Sequence, residues 1–430
     1  MFGFANALLL LLAAAVVIDF VPVLRRRLSP AAWWRDERPL WGARGMALRE
    51  KYGQRAFLLG VMVYEFVVVF NNSMARENWP WLQTRVSPVL DWVMYLCFGY
   101  KILLGTRYNG RSLVCAGALY FVARWVYFNG QNIWWLGVCV ALLAAKDVPL
   151  RRVMKAFLAC GVPTLALVEV LHFAGIIAPH ALSERNGSYR MMFGYGHPNT
   201  FGGVVFGLLL AWVLLRREKL RWAELGAIAA VGVFLMVAPK SRSSSLCVLL
   251  LVLLLALAKL RTRKGTRPAG RVLAGFCAAV VPLAAAVSFI LPTFVYKIGP
   301  WMNDIGPVWL KRLDDLLTSR ISLVWAAYRV MDVKIAGQML PDWPALDNIF
   351  VFLFYLVGPV MLVLVCALMM AALYGYARRG QWQAVACLVT MLAYGYMESQ
   401  VTHLTSDPAV LLLCGAVYAL PTARWMFEED

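Results

Sequence analysis

The feature that most constrains this chain is a series of long apolar runs joined by short charged connections. A helix needs about 20 consecutive apolar residues to cross the hydrocarbon of a bilayer. Thirteen stretches reach or approach that length, centred near Leu11, Met62, Met94, Leu119, Leu136, Leu165, Gly207, Ala229, Leu251, Val280, Leu362, Leu388 and Leu412, the fifth being the shortest. Soluble elements alternate polar and apolar residues, whereas these runs are apolar on every face. In lipid each backbone amide must be satisfied within its own segment, so such runs fold as helices. The expected fold is therefore all-α: a polytopic membrane helix bundle of about 12–13 spans, with residues 1–430 forming one membrane domain.

Charge then orients the bundle. Hydrophobic residues make up 61% of the chain and charged residues 15%, yet the formal net charge is +19. A nucleic-acid partner would require those basic residues to share one face. Instead 29 of the 42 lysines and arginines fall in alternate connections, beginning with nine between Arg25 and Arg55. The positive-inside rule places those connections in the cytoplasm, the amino terminus outside and the carboxyl terminus inside, and no nucleic-acid partner is expected. The nine cysteines lie within the apolar runs and form no C-x-x-C pair, so they read as small buried residues. The first run carries Asp19 and Pro22 and lacks both a basic start and a small-x-small exit, so it reads as a retained span rather than a cleaved signal.

One connection is far longer than the rest. Residues 292–348 form a large extracytoplasmic loop, in which Val308, Leu310, Leu313, Leu317 and Ile321 recur at helical spacing against Lys311, Arg312, Asp314 and Asp315. That pattern predicts a helical cap on the outer mouth. Three outer segments carry the informative polar residues. The first runs from Ser183 through Arg185 and Arg190 to Phe193-Gly194-Tyr195-Gly196-His197-Pro198-Asn199, and leads directly into a span. The second, Pro239-Lys240-Ser241-Arg242-Ser243-Ser244-Ser245, opens another span with hydroxyls and two cations, and the third is Thr318-Ser319-Arg320 in the long loop. A glycine-rich loop ending at a helix start presents backbone N–H groups and the positive end of a dipole, which suits an anion. The plain alternatives are that Lys240 and Arg242 snorkel to the interface, that Arg190 and Arg320 are ordinary surface or loop arginines, and that His197 ties down its loop. An arginine in each of three outer segments favours phosphate recognition, since guanidinium groups match phosphate bidentately.

Taken in order, Arg190 with Phe193-Gly194-Tyr195-Gly196-His197-Pro198-Asn199, Ser241-Arg242-Ser243-Ser244, Ser319-Arg320-Ile321-Ser322-Leu323, Leu346-Asp347-Asn348 and Glu398 resemble the bacterial Wzy-type polysaccharide polymerase and O-antigen ligase superfamily. The resemblance runs from about Glu184 to the carboxyl terminus and implies a GT-C-like glycosyltransferase of the bacterial cell membrane. It would act on undecaprenyl-diphosphate-linked oligosaccharide at the outer leaflet, with a chain-length regulator and a flippase as partners. Arg190, Arg242 and Arg320 match the positions where the family keeps diphosphate-binding arginines, and Lys240 adjoins one of them. Two departures stand out: the ligase branch keeps a histidine in the large loop and this loop has none, which favours the polymerase branch; and the first span is additional to the family's usual twelve.

Transfer of a glycan from a lipid diphosphate to a sugar hydroxyl requires stabilisation of the departing diphosphate and a base near the acceptor oxygen. His197 and Glu398 are the favoured catalytic residues, with Arg185, Asn199, Asp347 and His403 as further candidates. Asp314 and Asp315 are adjacent on a helix and point about 100° apart, so neither a metal nor another cofactor is called for. A transporter such as a lipid-oligosaccharide flippase is the rival from another class. It would carry ionisable residues at mid-membrane, where the candidates are Asp19, Glu65, Arg124 and Glu169.

Overall fold

A computed structural model describes residues 2–24, 29–40, 42–130, 133–177, 183–185, 188–262, 268–295, 306–317, 319–339, 346–399 and 403–418. Fourteen helices carry the architecture: α1 Phe2–Leu24, α2 Met46–Asn71, α3 Ser87–Leu103, α4 Gly110–Gly130, α5 Ile133–Ala144, α6 Leu150–Phe173, α7 Pro198–Arg216, α8 Trp222–Val237, α9 Arg242–Thr262, α10 Arg271–Ile290, α11 Val308–Leu316, α12 Arg320–Val330, α13 Pro359–Arg378 and α14 Trp382–Met397. Strand content among the described residues is confined to two short antiparallel pairs, β1 (Arg38–Pro39) with β2 (Arg107–Tyr108) and β3 (Ser183–Arg185) with β4 (Ser188–Arg190).

The protein is an all-α, multi-pass membrane protein. Among the described residues seven helices are long and apolar enough to cross a bilayer: α2, α3 with the turn preceding it, α6, α7, α9, α10 and α13. Every expected span centre but Leu412 falls in an α-helix, although α5, α8 and α14 have only 12–16 residues. The clearest difference is at Leu412. There the described residues form a 3₁₀ turn over Pro408–Leu413 and a short helix over Cys414–Val417 in place of one continuous α-helix. Pro408 opens that turn, and at about 1.5 Å per residue such a segment falls well short of the hydrocarbon thickness.

The chain forms two compact units, one of Met1–Arg124, Leu136–Ser245 and Leu404–Asp430 and the other of Trp125–Trp135 and Leu246–His403. In the first, α2 packs along α3 and α6, and α6 along α7. Its interior is organised around the segment that begins at Leu404. The Leu404 N–H donates to the Tyr64 hydroxyl (3.2 Å), and the Thr405 hydroxyl donates to Glu65 (2.7 Å). Two glycines make room. A Cβ at Gly161 would lie 2.6 Å from Glu65 Oε1, and one at Gly207 would overlap the Thr405 carbonyl. Gly207→Ala should therefore lower stability by about 1–3 kcal/mol through overpacking. Gly226→Ala, on α8 with nothing within 4 Å of a new methyl, should leave it unchanged. Thermal unfolding in detergent compares the two, and equal midpoints would remove Gly207 from the account.

In the second unit α10 packs on α13, and α13 on α14. The expected amphipathic stripe forms a small core in which Leu310, Ile321 and Val295 are buried against Leu291, Leu313, Leu317 and Trp325. Val308 does not join it and is exposed, and the chain turns at Ser319 (φ +68°), so the stripe is shared by two helices, α11 and α12, instead of one. The Tyr328 hydroxyl donates to the Phe289 carbonyl (2.9 Å), which fastens α12 to the end of α10.

Candidate functional site

Two clusters of the candidate residues form, one in each unit, and each is described by itself. In the first unit the β3–β4 hairpin delivers Arg190, and the chain then passes through Phe193 and Gly194, both at positive φ, to the start of α7. This loop is held by the Met74 N–H, which donates to the Gly194 carbonyl (2.8 Å), and by a bridge between Ser73 and Tyr195. His197 is the N-cap of α7 and Pro198 its first residue, a position that tolerates proline because its missing N–H would have no helical partner. The Asn199 N–H donates to His197 Nδ1 at 3.1 Å.

That bond has a chemical consequence. The Nδ1 lone pair of His197 is committed to the cap, so the neutral imidazole is assigned its proton on Nε2. The base role expected of His197 would cost it the cap. Arg190 is buried, and its Nη2 donates to Asn199 Oδ1 (3.1 Å) and the Lys240 carbonyl (3.4 Å). Ser241 Oγ lies 3.2 Å from the same Asn199 oxygen and 3.1 Å from the Ser244 hydroxyl. Arg190 and Asn199 thus join the glycine-rich loop to the turn before α9.

That turn contains Lys240, whose φ of +50° is left-handed. Arg242 is the first residue of the 21-residue helix α9; its side chain is exposed and has no partner among the described residues. Ser243, Ser244 and Ser245 point inward and are buried, and Ser245 Oγ donates to the Gly232 carbonyl (2.7 Å). The hydroxyls expected to open the span are therefore buried, and Ser245 ties α9 to α8. What remains at the surface is a guanidinium at a helix amino end, where the dipole repels a cation and attracts an anion.

In the second unit Arg320 begins α12 and is buried. Its Nη2 meets Glu398 Oε1 at 2.8 Å and Asp347 Oδ2 at 3.1 Å, and its Nε donates to the Met397 carbonyl at 2.9 Å. Among the described residues this one guanidinium meets two carboxylates, so it is engaged within the protein. Of the two acids, Glu398 ends α14 with its side chain 5% exposed, whereas the Asp347 side chain is 30% exposed. Asn348, next to Asp347, accepts from the N–H groups of Phe350 (3.0 Å) and Val351 (3.3 Å) and donates to Ser288 on α10 (2.9 Å). Leu346-Asp347-Asn348 is thereby a fixed corner that presents one carboxylate.

Asp314 escaped the sequence reading as more than half of an adjacent acid pair. It accepts from the N–H groups of Ile321 (2.7 Å) and Ser322 (3.4 Å) and from the Ser322 hydroxyl (2.7 Å), capping α12 from α11. Burial pushes its carboxyl up from the usual range while these donors draw it back. The acid lies seven residues from Ile321 and not at the usual capping position, so no local signal announced it. Packed surroundings hold the His403 imidazole down to about 4, which makes it a weak base. The Arg185 side chain and Thr318 lie outside the described residues.

Among the described residues no group of three histidine, cysteine or acidic side chains could hold a metal ion. No protein-family model matches the chain, and neither a curated protein nor a solved structure does.

Proposed function

We propose that the protein is a polysaccharide polymerase of the Wzy type, a GT-C-like glycosyltransferase that joins undecaprenyl-diphosphate-linked repeat units at the outer leaflet of the bacterial cell membrane. The observation that carries this reading is Arg242. An exposed guanidinium with no partner among the described residues, at the amino end of a long helix and two residues from Lys240, suits the diphosphate of a lipid-linked donor. Arg190 shapes that turn from behind through Asn199 and the Lys240 carbonyl. As the sugar leaves the diphosphate, negative charge grows on the leaving oxygens, and a fixed cation lowers the barrier.

The acceptor hydroxyl must lose a proton as it attacks, and Asp347 is the carboxylate assigned to receive it. It is more accessible than Glu398, it is fixed by the Asn348 corner, and its position relative to Arg320 is set by an ion pair. In this reading Arg320 and Glu398 are positioning residues, a change from the diphosphate-binding and catalytic roles that the motifs imply. Asp347→Asn should reduce turnover about 100-fold or more, with donor affinity unchanged. A fall in donor affinity instead would move Asp347 into substrate binding.

The transporter reading loses most of its candidates to structural work. Asp19 accepts from the Trp33 indole (2.8 Å) and Arg38 (3.4 Å), Arg124 pairs with Asn6, and Glu65 holds Thr405. The reaction as proposed needs no metal, because cationic side chains take the leaving group's charge, so polymerisation should continue in EDTA. Loss on chelation with recovery on adding Mg²⁺ would assign the diphosphate to a metal instead of Arg242. Topology has its own check: a cysteine at the exposed Lys334 should react with an impermeant thiol reagent in intact cells, and a protected one would reverse the orientation.

A further inference from the structure

Helix α11 has a side that its own core does not use. At about 100° per residue, Leu310, Leu313 and Leu317 fall on the side that packs inward, while Trp309 and Leu316 fall within about 20° of each other on a neighbouring stripe, and Lys311 lies nearly opposite that stripe. Trp309 is 53% exposed and Leu316 59%. Two large apolar side chains on one stripe of a nine-residue helix are costly in water.

The stripe continues a surface that belongs to lipid. On the membrane-crossing helix α10, Phe276, Leu283 and Ile290 are exposed at seven-residue intervals, which places them on one line along the helix. Phe294 extends that line at the end of the span and is also exposed. Its ring meets Trp309 edge-on, with centroids 6.4 Å apart and planes at 64°. The exposed apolar surface therefore runs without a break from the hydrocarbon-facing side of α10 to α11. Arg312 borders the stripe, and Lys311 and Asp315 lie away from it, so α11 has a cation placed for phospholipid phosphate and a polar side for water.

We propose that α11 is an interfacial helix whose Trp309–Leu316 stripe is seated in the phospholipid leaflet at the Phe294 end of α10. Trp309 is the anchor: its ring sits at headgroup level, as tryptophans do at membrane boundaries. Leu316 dips toward the acyl chains, and Arg312 meets phosphate. The seat fixes α12 as well, because α11 and α12 share one core and Asp314 of α11 caps α12. This proposal stands apart from glycosyl transfer and holds or fails on its own.

The test uses full-length protein with its nine cysteines replaced and one cysteine introduced at an exposed position. The variants are Phe294→Cys, Trp309→Cys, Leu316→Cys and Lys311→Cys, each labelled with the fluorophore NBD. Each is reconstituted in phosphatidylcholine nanodiscs with or without a nitroxide near the top of the acyl chains. Labels at 309 and 316 should lose about half of their emission to the nitroxide, close to the loss at 294, while the label at 311 stays bright. Equal quenching at 309 and 311, or quenching at neither, overturns the proposal. Bright labels at both 309 and 316 beside a quenched one at 294 would show that the lipid surface stops at Phe294.

Discussion

Replacing Arg242 with lysine is expected to lower polymerisation about 100-fold or more, nearly as far as replacing it with alanine, while the protein inserts and accumulates normally. Removal of one fixed donor from a developing oxyanion typically costs about 10²–10³ in rate. Lysine keeps the charge but gives up the planar fork that matches two phosphate oxygens at once. Nothing else in the fold should change, because the Arg242 side chain is exposed and has no partner among the described residues. An arginine that only snorkels would behave otherwise, since lysine reaches the interface equally well. Turnover at matched protein levels separates the two, and near-normal activity in the lysine variant would return Arg242 to membrane anchoring.

Arg320→Ala should act in a different way. It leaves Glu398 buried without its cation, and breaking a buried pair from one side typically costs about 3–5 kcal/mol. The expected result is a large fall in thermal midpoint together with loss of activity. The double variant Arg320→Met/Glu398→Gln removes both buried charges and should recover most of the stability but not the activity, because Asp347 would have lost its ion-pair partner. If Arg320 bound diphosphate directly, the alanine variant would retain its midpoint and lose donor affinity. That outcome would restore the role its motif implies.

These two arginines show what the sequence could convey. Apolar run length marks the helices because the requirement comes from the solvent and not from tertiary contacts, and an α-helix stands at every expected centre but Leu412. It could not fix the segment at Leu412, where Pro408 and the pairing of Leu404 and Thr405 with Tyr64 and Glu65 shape the chain. Arg242 and Arg320 look alike in sequence, each preceded by a serine and each at a helix start. One is exposed, with no partner among the described residues, and the other is enclosed by Glu398 and Asp347, which arrive from 78 and 27 residues away. Such distant pairing leaves no local pattern. Similarly, Ser243 to Ser245 read as hydroxyls opening a span, but all three are buried, and Ser245 is bonded to the Gly232 carbonyl of α8.

The account rests on a reaction, and purified protein in liposomes with a lipid-diphosphate-linked repeat unit tests it most directly. The prediction is a ladder of glycans longer than one repeat, with release of undecaprenyl diphosphate in step with each linkage formed and with both signals lost in Arg242→Ala. Passage of intact lipid-linked repeat units across the bilayer, with no ladder and no released diphosphate, would contradict it and identify a transporter.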